Sequence, residues 1–154
     1  MWRNREAEKC FPELSTGNYR VTSIKDKTYN CVAWAVGDTT HFWYDAKIKG
    51  YYWPPGARSA DTIDGWKDVF EIHSYSVCVS REFESDFEKI AIYVNADGEP
   101  EHVARQTGEG KWSSKLGRGC DIEHESLDVL EGAEYGKVEV VMRRPCKYGK
   151  RVQP

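Results

Sequence analysis

The sequence contains no long run of apolar residues. Its longest uninterrupted apolar stretches, such as residues 32–36 and 90–94, span only a few residues, whereas a transmembrane helix needs about 20. The residues that follow Met1 are mostly charged or polar and lack the apolar core of a secretory signal. The sequence therefore predicts a cytoplasmic protein with no membrane partner, and secretion as an effector stays open.

An excess of positive charge and a dense cysteine pattern are also missing. The formal net charge is −3 at pH 7, which provides no global attraction for nucleic acid, because domains that bind phosphate groups usually display a strong basic patch. The five cysteines are an odd number, without the close pairing of a zinc ribbon or the density of a disulfide-rich mini-protein. We therefore expect no nucleic-acid partner, no bound metal or other cofactor, and at least one free thiol.

Most of the chain is predicted to form one domain. The 154 residues are 40% hydrophobic and 13% aromatic, which is enough for one sizeable core and too little for two. We predict a polar N-terminal arm over residues 1–28, a single domain over residues 29–146 and a basic tail over residues 147–154. Composition does not predict the oligomeric state.

Two helices are predicted in the first half of the domain. Residues 31–36 contain no glycine or proline, follow a capping residue at Asn30 and precede a glycine, which predicts a short buried helix with Cys31 in its first turn. Apolar residues recur at helical spacing between a serine cap at position 59 and about position 73. The aromatic segment between these helices, residues 38–58, contains prolines and glycines and is predicted to be a loop.

The second half of the chain alternates apolar and polar residues with the period of two that is typical of strands. Turn residues at 95–98 join two such segments, so residues 89–94 are predicted to pair antiparallel with residues 101–107. The element order predicts an α+β fold in which N-terminal helices pack on a largely antiparallel sheet. The remaining predictions are strands at 74–80, 111–115 and 137–143, an irregular connection at 116–121, and a short helix that begins at a Ser126 cap and ends at Gly132.

Cys31 and His102 are the residues whose positions indicate chemistry. A catalytic cysteine acts as a thiolate, and the amide groups and dipole at a helix N-terminus lower the pKa of a thiol placed there. Such a thiol also needs a histidine base from elsewhere in the chain. His102 begins a predicted hairpin strand, with the small residue Ala104 next on the same face. Its imidazole could therefore meet a helix packed across the sheet.

The helix that carries Cys31 is followed along the chain by a hairpin strand with His102 and then by a neighbouring strand in residues 111–117. This order resembles the papain-like cysteine peptidase superfamily, and most closely its small NlpC-type and bacterial amidase members. Six short segments together resemble an uncharacterised bacterial family over roughly residues 29–145. They are YNCVAWA at 29–35, KIAIY at 89–93, HVARQ at 102–106, WSSKLG at 112–117, DIEH at 121–124 and EYG at 134–136.

The superfamily resemblance implies a Cys31 nucleophile, a His102 base and a third polar residue that orients the imidazole. Fold-level resemblance does not imply a substrate, and a peptide or amide is our expectation. In papain-like enzymes the third residue is typically Asn, Asp or His on the strand after the histidine. This sequence departs from that pattern, because the corresponding strand offers only Ser113 and Ser114. A serine brings no negative charge to an imidazolium.

Other residues could complete the site. Asp121 is the best charged candidate for the third position, with His124 behind it. Both residues could instead cap the short helix that begins near Ser126. Asn30 or a backbone amide near Cys31 is the candidate for the oxyanion hole.

Three functions are consistent with these residues. The first is a thiol hydrolase, a peptidase or amidase in which Cys31 forms an acyl-enzyme and His102 protonates the leaving group. The second is a catalytically inactive papain-like module that binds an unknown partner, which the serine-only third position allows. The third is a zinc site, although the spacing of its ligands matches no recognised motif. Those ligands would be Cys31, His102, Cys120 and His124.

Overall fold

A computed structural model describes residues 3–117 and 119–146 of the chain, so the predicted basic tail lies outside the described residues. Within these ranges the helices are Arg5–Cys10 (α1), Cys31–Val36 (α2) and Ile63–Ile72 (α3), with 3-10 turns at Pro12–Ser15 and Asp128–Leu130. None of the described helices is long and apolar enough to cross a membrane. The described strands are Tyr19–Val21 (β1), Phe42–Trp43 (β2), Tyr51–Tyr52 (β3), Ser76–Cys78 (β4), Phe87–Val94 (β5), Pro100–Gln106 (β6), Trp112–Lys115 (β7), Asp121–His124 (β8) and Lys137–Pro145 (β9).

Seven of these strands form one sheet in the order β1-β8-β7-β6-β5-β9-β4. Every neighbouring pair in this sheet is antiparallel, which confirms the predicted α+β class with a largely antiparallel sheet. The predicted hairpin of β5 and β6 is also confirmed. Its turn is held by Asn95 Oδ1, which accepts hydrogen bonds from the amides of Asp97 and Glu99.

Helix α2 begins and ends where its sequence predicts. The Asn30 side chain caps it by accepting a hydrogen bond from the amide of Ala33, and Gly37 ends it in the left-handed conformation. Four of its six residues are buried, so the helix packs into the core and places Cys31 at its first position.

Helix α3 begins later than its predicted serine cap, because Thr62 provides the cap instead. Its Oγ1 accepts a hydrogen bond from the amide of Gly65. The chain before the helix passes so close that a Cβ on Gly65 would lie 1.9 Å from the carbonyl oxygen of Ser59. Residue 59 therefore packs against the first turn and does not start it.

The N-terminal segment, predicted to be a covering arm, contributes a strand to the sheet. β1 pairs with β8, and neither strand is predicted from the sequence, because each has only three or four residues and little apolar alternation. Ala7, Phe11 and Leu14 are buried in the same core cluster as residues of the sheet. The segment is therefore continuous with the sheet that follows.

The two faces of the sheet carry separate core clusters. Helices α2 and α3 pack on the face that includes Ile90, Ile92 and Val103. The N-terminal segment and the turn at Asp128–Leu130 cover the other face, which includes Tyr93 and Ala104. Because side chains alternate along a strand, consecutive residues of β6 point to different clusters.

Candidate active site

A chain of buried polar side chains links three strands on the face that the N-terminal segment covers. His102 Nε2 lies 2.9 Å from Ser114 Oγ, and Ser114 Oγ lies 2.7 Å from His124 Nε2. His124 Nδ1 is 2.8 Å from the carbonyl oxygen of Ser126. The relative exposures of His102, Ser114 and His124 are 0%, 0% and 1%, so these three side chains are buried away from solvent.

The direction of each hydrogen bond in this chain is set by the carbonyl group of Ser126 at its end. A carbonyl oxygen can only accept, so His124 Nδ1 must carry the proton and Nε2 of a neutral ring must accept from the hydroxyl of Ser114. The oxygen of that hydroxyl then accepts from Nε2–H of His102. His102 Nδ1 is therefore left as a bare lone pair, and it has no hydrogen-bond partner among the described residues.

Burial keeps both imidazoles neutral. Loss of hydration lowers the pKa of His102 well below its usual value, and a charge on His124 would lower it further. The same cause lowers the pKa of His124 to about 4, although the carbonyl of Ser126 opposes the decrease. At neutral pH the arrangement is a chain of neutral groups.

Cys31 is also a neutral group. Its relative exposure is 7%, and burial raises the pKa of its thiol to about 11, even though the backbone amides of Val103 and Val32 oppose the increase. The pKa decrease expected from the helix N-terminus is therefore wrong, because the loss of hydration outweighs the contribution of a helix of only six residues. The thiol would have to lose its proton during a reaction and not before it.

The Cys31 thiol contacts the residue of β6 that directly follows His102. The sulfur of Cys31 accepts a hydrogen bond from the amide of Val103, and the two side chains share a core cluster. The His102 ring points to the other cluster and contacts Tyr93, with ring centroids 5.3 Å apart. The expectation that the imidazole lies on the helix-facing side of the sheet is therefore wrong, since Val103 occupies that side.

Tyr135 covers His102. Their rings are stacked with centroids 4.2 Å apart and an angle of 3° between the planes, and Phe11 of the N-terminal segment contacts Tyr135 at 4.7 Å. Burial raises the pKa of Tyr135, and negative charge on Cys31 would raise it further, which places the phenol within electrostatic reach of the sulfur. The EYG segment at 134–136 contains Tyr135, but the sequence predicts no role for this residue, because no local pattern shows which residue it contacts.

A cleft of about 340 Å³ lies beside this cover. Tyr135 forms part of its wall, and the N-terminal segment and the turn before β8 form the rest. The lining includes Ala7, Cys10, Phe11, Leu116 and Cys120. Tyr135, one of the two stacked rings, therefore borders this cleft directly.

Asp121 is positioned by a different partner from the one expected. Its carboxylate accepts a hydrogen bond of 2.8 Å from the hydroxyl of Tyr29, and burial raises its pKa. The hydrogen-bond partner of His102 Nε2 is instead Ser114, which accepts from it. Of the residues considered for the third position, Ser114 contacts the imidazole and His124 contacts Ser114. Ser113 accepts from the indole of Trp34 at 3.1 Å on the opposite face.

Asn30 and Cys120, one of the residues considered as zinc ligands, are held by other hydrogen bonds. The Asn30 side chain caps α2 and donates to the carbonyl of Trp43 at 2.9 Å, so its amide is already used to hold the aromatic loop. The described residues contain no group of three or more His, Cys, Asp or Glu side chains able to hold a metal. Cys120 instead accepts a hydrogen bond from Asn4 at 3.6 Å.

Residue parity could have selected Ser114 and His124 from among the candidates for the third position. Positions 112 and 114 of β7 and positions 122 and 124 of β8 share one face of the sheet once the strands are paired. The missing information was that residues 121–124 form a strand at all.

These features define an α+β protein with a buried cysteine on a helix and a buried histidine–serine–histidine chain in an antiparallel sheet. The chain belongs to the family whose model matches residues 20–143, which is described as a domain of unknown function (DUF7689). No curated protein and no solved structure matches the chain.

Proposed function

We propose that the protein is a papain-like thiol hydrolase, a peptidase or amidase in which Cys31 is the nucleophile, His102 is the general base and Ser114 orients the imidazole. One observation carries the proposal. The hydrogen-bond chain leaves the Nδ1 lone pair of His102 buried and without a partner among the described residues, on the residue next to the one whose amide contacts the Cys31 sulfur.

An unpaired polar atom of this kind is unfavourable for folding. Leaving a buried acceptor without a partner costs about 1–3 kcal/mol, and native proteins satisfy nearly all such atoms. A buried imidazole with a free lone pair can take up a thiol proton once the two groups are brought together, and the Cys31 sulfur is held at the residue that follows His102. Catalysis therefore gives a reason to retain an atom that stability alone disfavours.

The protonation states favour general-base attack over a preformed ion pair. His102 Nδ1 takes the thiol proton as the sulfur of Cys31 bonds to the carbonyl carbon of the substrate, and the carbonyl π electrons move to oxygen. The tetrahedral intermediate then expels the amine, which receives the proton from the His102 imidazolium, and leaves a thioester on Cys31. Water, deprotonated by His102, attacks the thioester, which releases the carboxylic acid and restores the thiol.

The oxyanion of this intermediate needs hydrogen-bond donors. Asn30 is committed to the helix cap and to Trp43, so we assign the role to the backbone amide of Cys31, at the first position of α2. First-turn amides lack helical partners and can serve as donors.

Substrate must enter through the cleft beside Tyr135. The sulfur and the imidazole are both buried, so a reaction requires Tyr135 to move from its stacked position. An extended peptide or amide segment suits the cleft between the N-terminal segment and the turn before β8.

A second candidate is a catalytically inactive papain-like binding module. The observation that favours it is the combination of a buried Cys31 with a raised pKa. Such a thiol behaves as a small apolar side chain.

Alkylation with iodoacetamide near neutral pH, followed by mass spectrometry of each cysteine, separates the two candidates. If His102 abstracts the thiol proton, His102→Ala slows labelling of Cys31 by about 100-fold, the size of a typical general-base contribution. Cys10 is exposed and provides an internal standard whose labelling stays constant. Equal Cys31 labelling rates in both proteins would reject the hydrolase and support the binding module.

A further inference from the structure

We infer that His124 is a positioning residue that acts through Ser114 to keep the proton of His102 on Nε2. The inference rests on the proposed function for its catalytic meaning, but its structural content does not depend on activity. It concerns a residue that touches neither the thiol nor the substrate cleft.

Ser114 by itself cannot select a tautomer. A serine hydroxyl both donates and accepts, so it could equally donate to Nε2 of His102. That arrangement would place the imidazole proton on Nδ1 and remove the lone pair that the thiol proton needs. An Asn, Asp or His in this position would act on His102 directly, whereas a serine needs a further group that decides which way its hydroxyl points.

His124 is that group, because its own polarity is set by the backbone. The carbonyl of Ser126 accepts from His124 Nδ1 at 2.8 Å, and the next residue, Leu127, is held by the hydroxyl of Tyr93, which donates to its carbonyl at 2.8 Å. Two backbone carbonyls therefore fix the segment. The tautomer of His124, the direction of the Ser114 hydroxyl and the tautomer of His102 follow in sequence.

The hydrogen-bond chain of His102, Ser114 and His124 contains no charged group that could set the tautomer of His102 instead. All three members are at most 1% exposed, so water does not compete for their hydrogen bonds. A neutral chain biases the tautomer without stabilising an imidazolium. This agrees with a base that remains uncharged until the thiol proton arrives.

The test is nitrogen-15 NMR of the imidazoles in the full chain. In the unaltered protein we expect His102 to be protonated at Nε2 and bare at Nδ1, and His124 to be protonated at Nδ1. His124→Leu removes the acceptor, and the Nδ1–H population of His102 should increase by about fivefold, the effect of losing one net hydrogen bond. His124→Gln offers an amide oxygen to Ser114 and should restore the original tautomer.

The neighbouring serines provide matched variants. Ser114→Ala and Ser113→Ala each remove one buried hydroxyl, but only the former interrupts the chain, so only Ser114→Ala should change the His102 tautomer. If His124→Leu does not fold, an unchanged tautomer in Ser114→Ala still rejects the inference, because His124 acts only through Ser114. A His102 protonated at Nδ1 in the unaltered protein, or a tautomer that Ser114→Ala and a folded His124→Leu both leave unchanged, overturns the inference.

Labelling of Cys31 connects the tautomer to the proposed function. We expect slower labelling in His124→Leu and Ser114→Ala, and recovery in His124→Gln. If the labelling rate of Cys31 does not depend on His102 but the His102 tautomer does depend on His124, the hydrolase is rejected and the positioning role of His124 is retained. If the labelling rate of Cys31 depends on His102 but the His102 tautomer does not depend on His124, only the positioning role of His124 is rejected.

Discussion

The buried imidazole of His124 should make the folded protein sensitive to mild acid. As the pH falls below 6.5 the unfolded chain protonates this histidine, while the folded protein keeps it neutral down to about pH 4. The unfolded state then binds more protons, so the free energy of unfolding decreases by about 1.4 kcal/mol for each pH unit in this window. His124 alone removes about 3 kcal/mol between pH 6.5 and 4, and His102, whose pKa is lowered for the same reason, adds to the loss.

Urea unfolding followed by tryptophan fluorescence at several pH values from 7 to 4.5 measures this effect. His124→Gln cannot take up a proton, so its free energy of unfolding should fall less steeply with decreasing pH than that of the unaltered protein. Ser113→Ala is the control for loss of a buried polar group on the opposite face, and it should retain the original slope. Parallel curves for the unaltered protein and His124→Gln would refute the reasoning, because they would mean that His124 titrates alike in both states.

Three further substitutions test other parts of the structure. Tyr135→Ala removes the stacking on His102 and Phe11, so Cys31 should be alkylated up to about tenfold faster while Cys78 is unaffected, given the usual strength of aromatic pairs; an unchanged rate argues against Tyr135 as the cover. Gly65→Ala should lower the free energy of unfolding by about 1–3 kcal/mol, because its Cβ would collide with the chain before α3, and calorimetry showing no loss would contradict that packing. Asn30→Ala should cost about 1 kcal/mol of stability through loss of the cap; a decrease in turnover of 100-fold or more in the folded variant would return the oxyanion role to Asn30.

Local sequence features determined the elements whose signals lie within a few residues. The cap at Asn30 and the glycine after Val36 define α2, and the turn at residues 95–98 sets the pairing of β5 with β6. These features act through hydrogen bonds and backbone conformations between near neighbours. They can therefore be predicted from a single sequence.

Short segments whose structure depends on residues far away in the sequence could not be predicted in this way. β8 has four residues and is a strand because β1 and β7 pair with its two edges. The N-terminal segment reads as polar, yet Phe11 and Leu14 bury themselves against the sheet. In both cases long-range pairing and packing override weak local preference.

The site divides along the same line. The sequence by itself determined which helix carries Cys31 and which strand carries His102, because both depend on local pattern. Only the tertiary structure decided that Ser114, with His124 behind it, meets the imidazole and that Asp121 does not, since that depends on which faces of β6, β7 and β8 coincide. It also decided that the thiol is neutral, because the pKa of Cys31 depends on how much water the surrounding chain excludes.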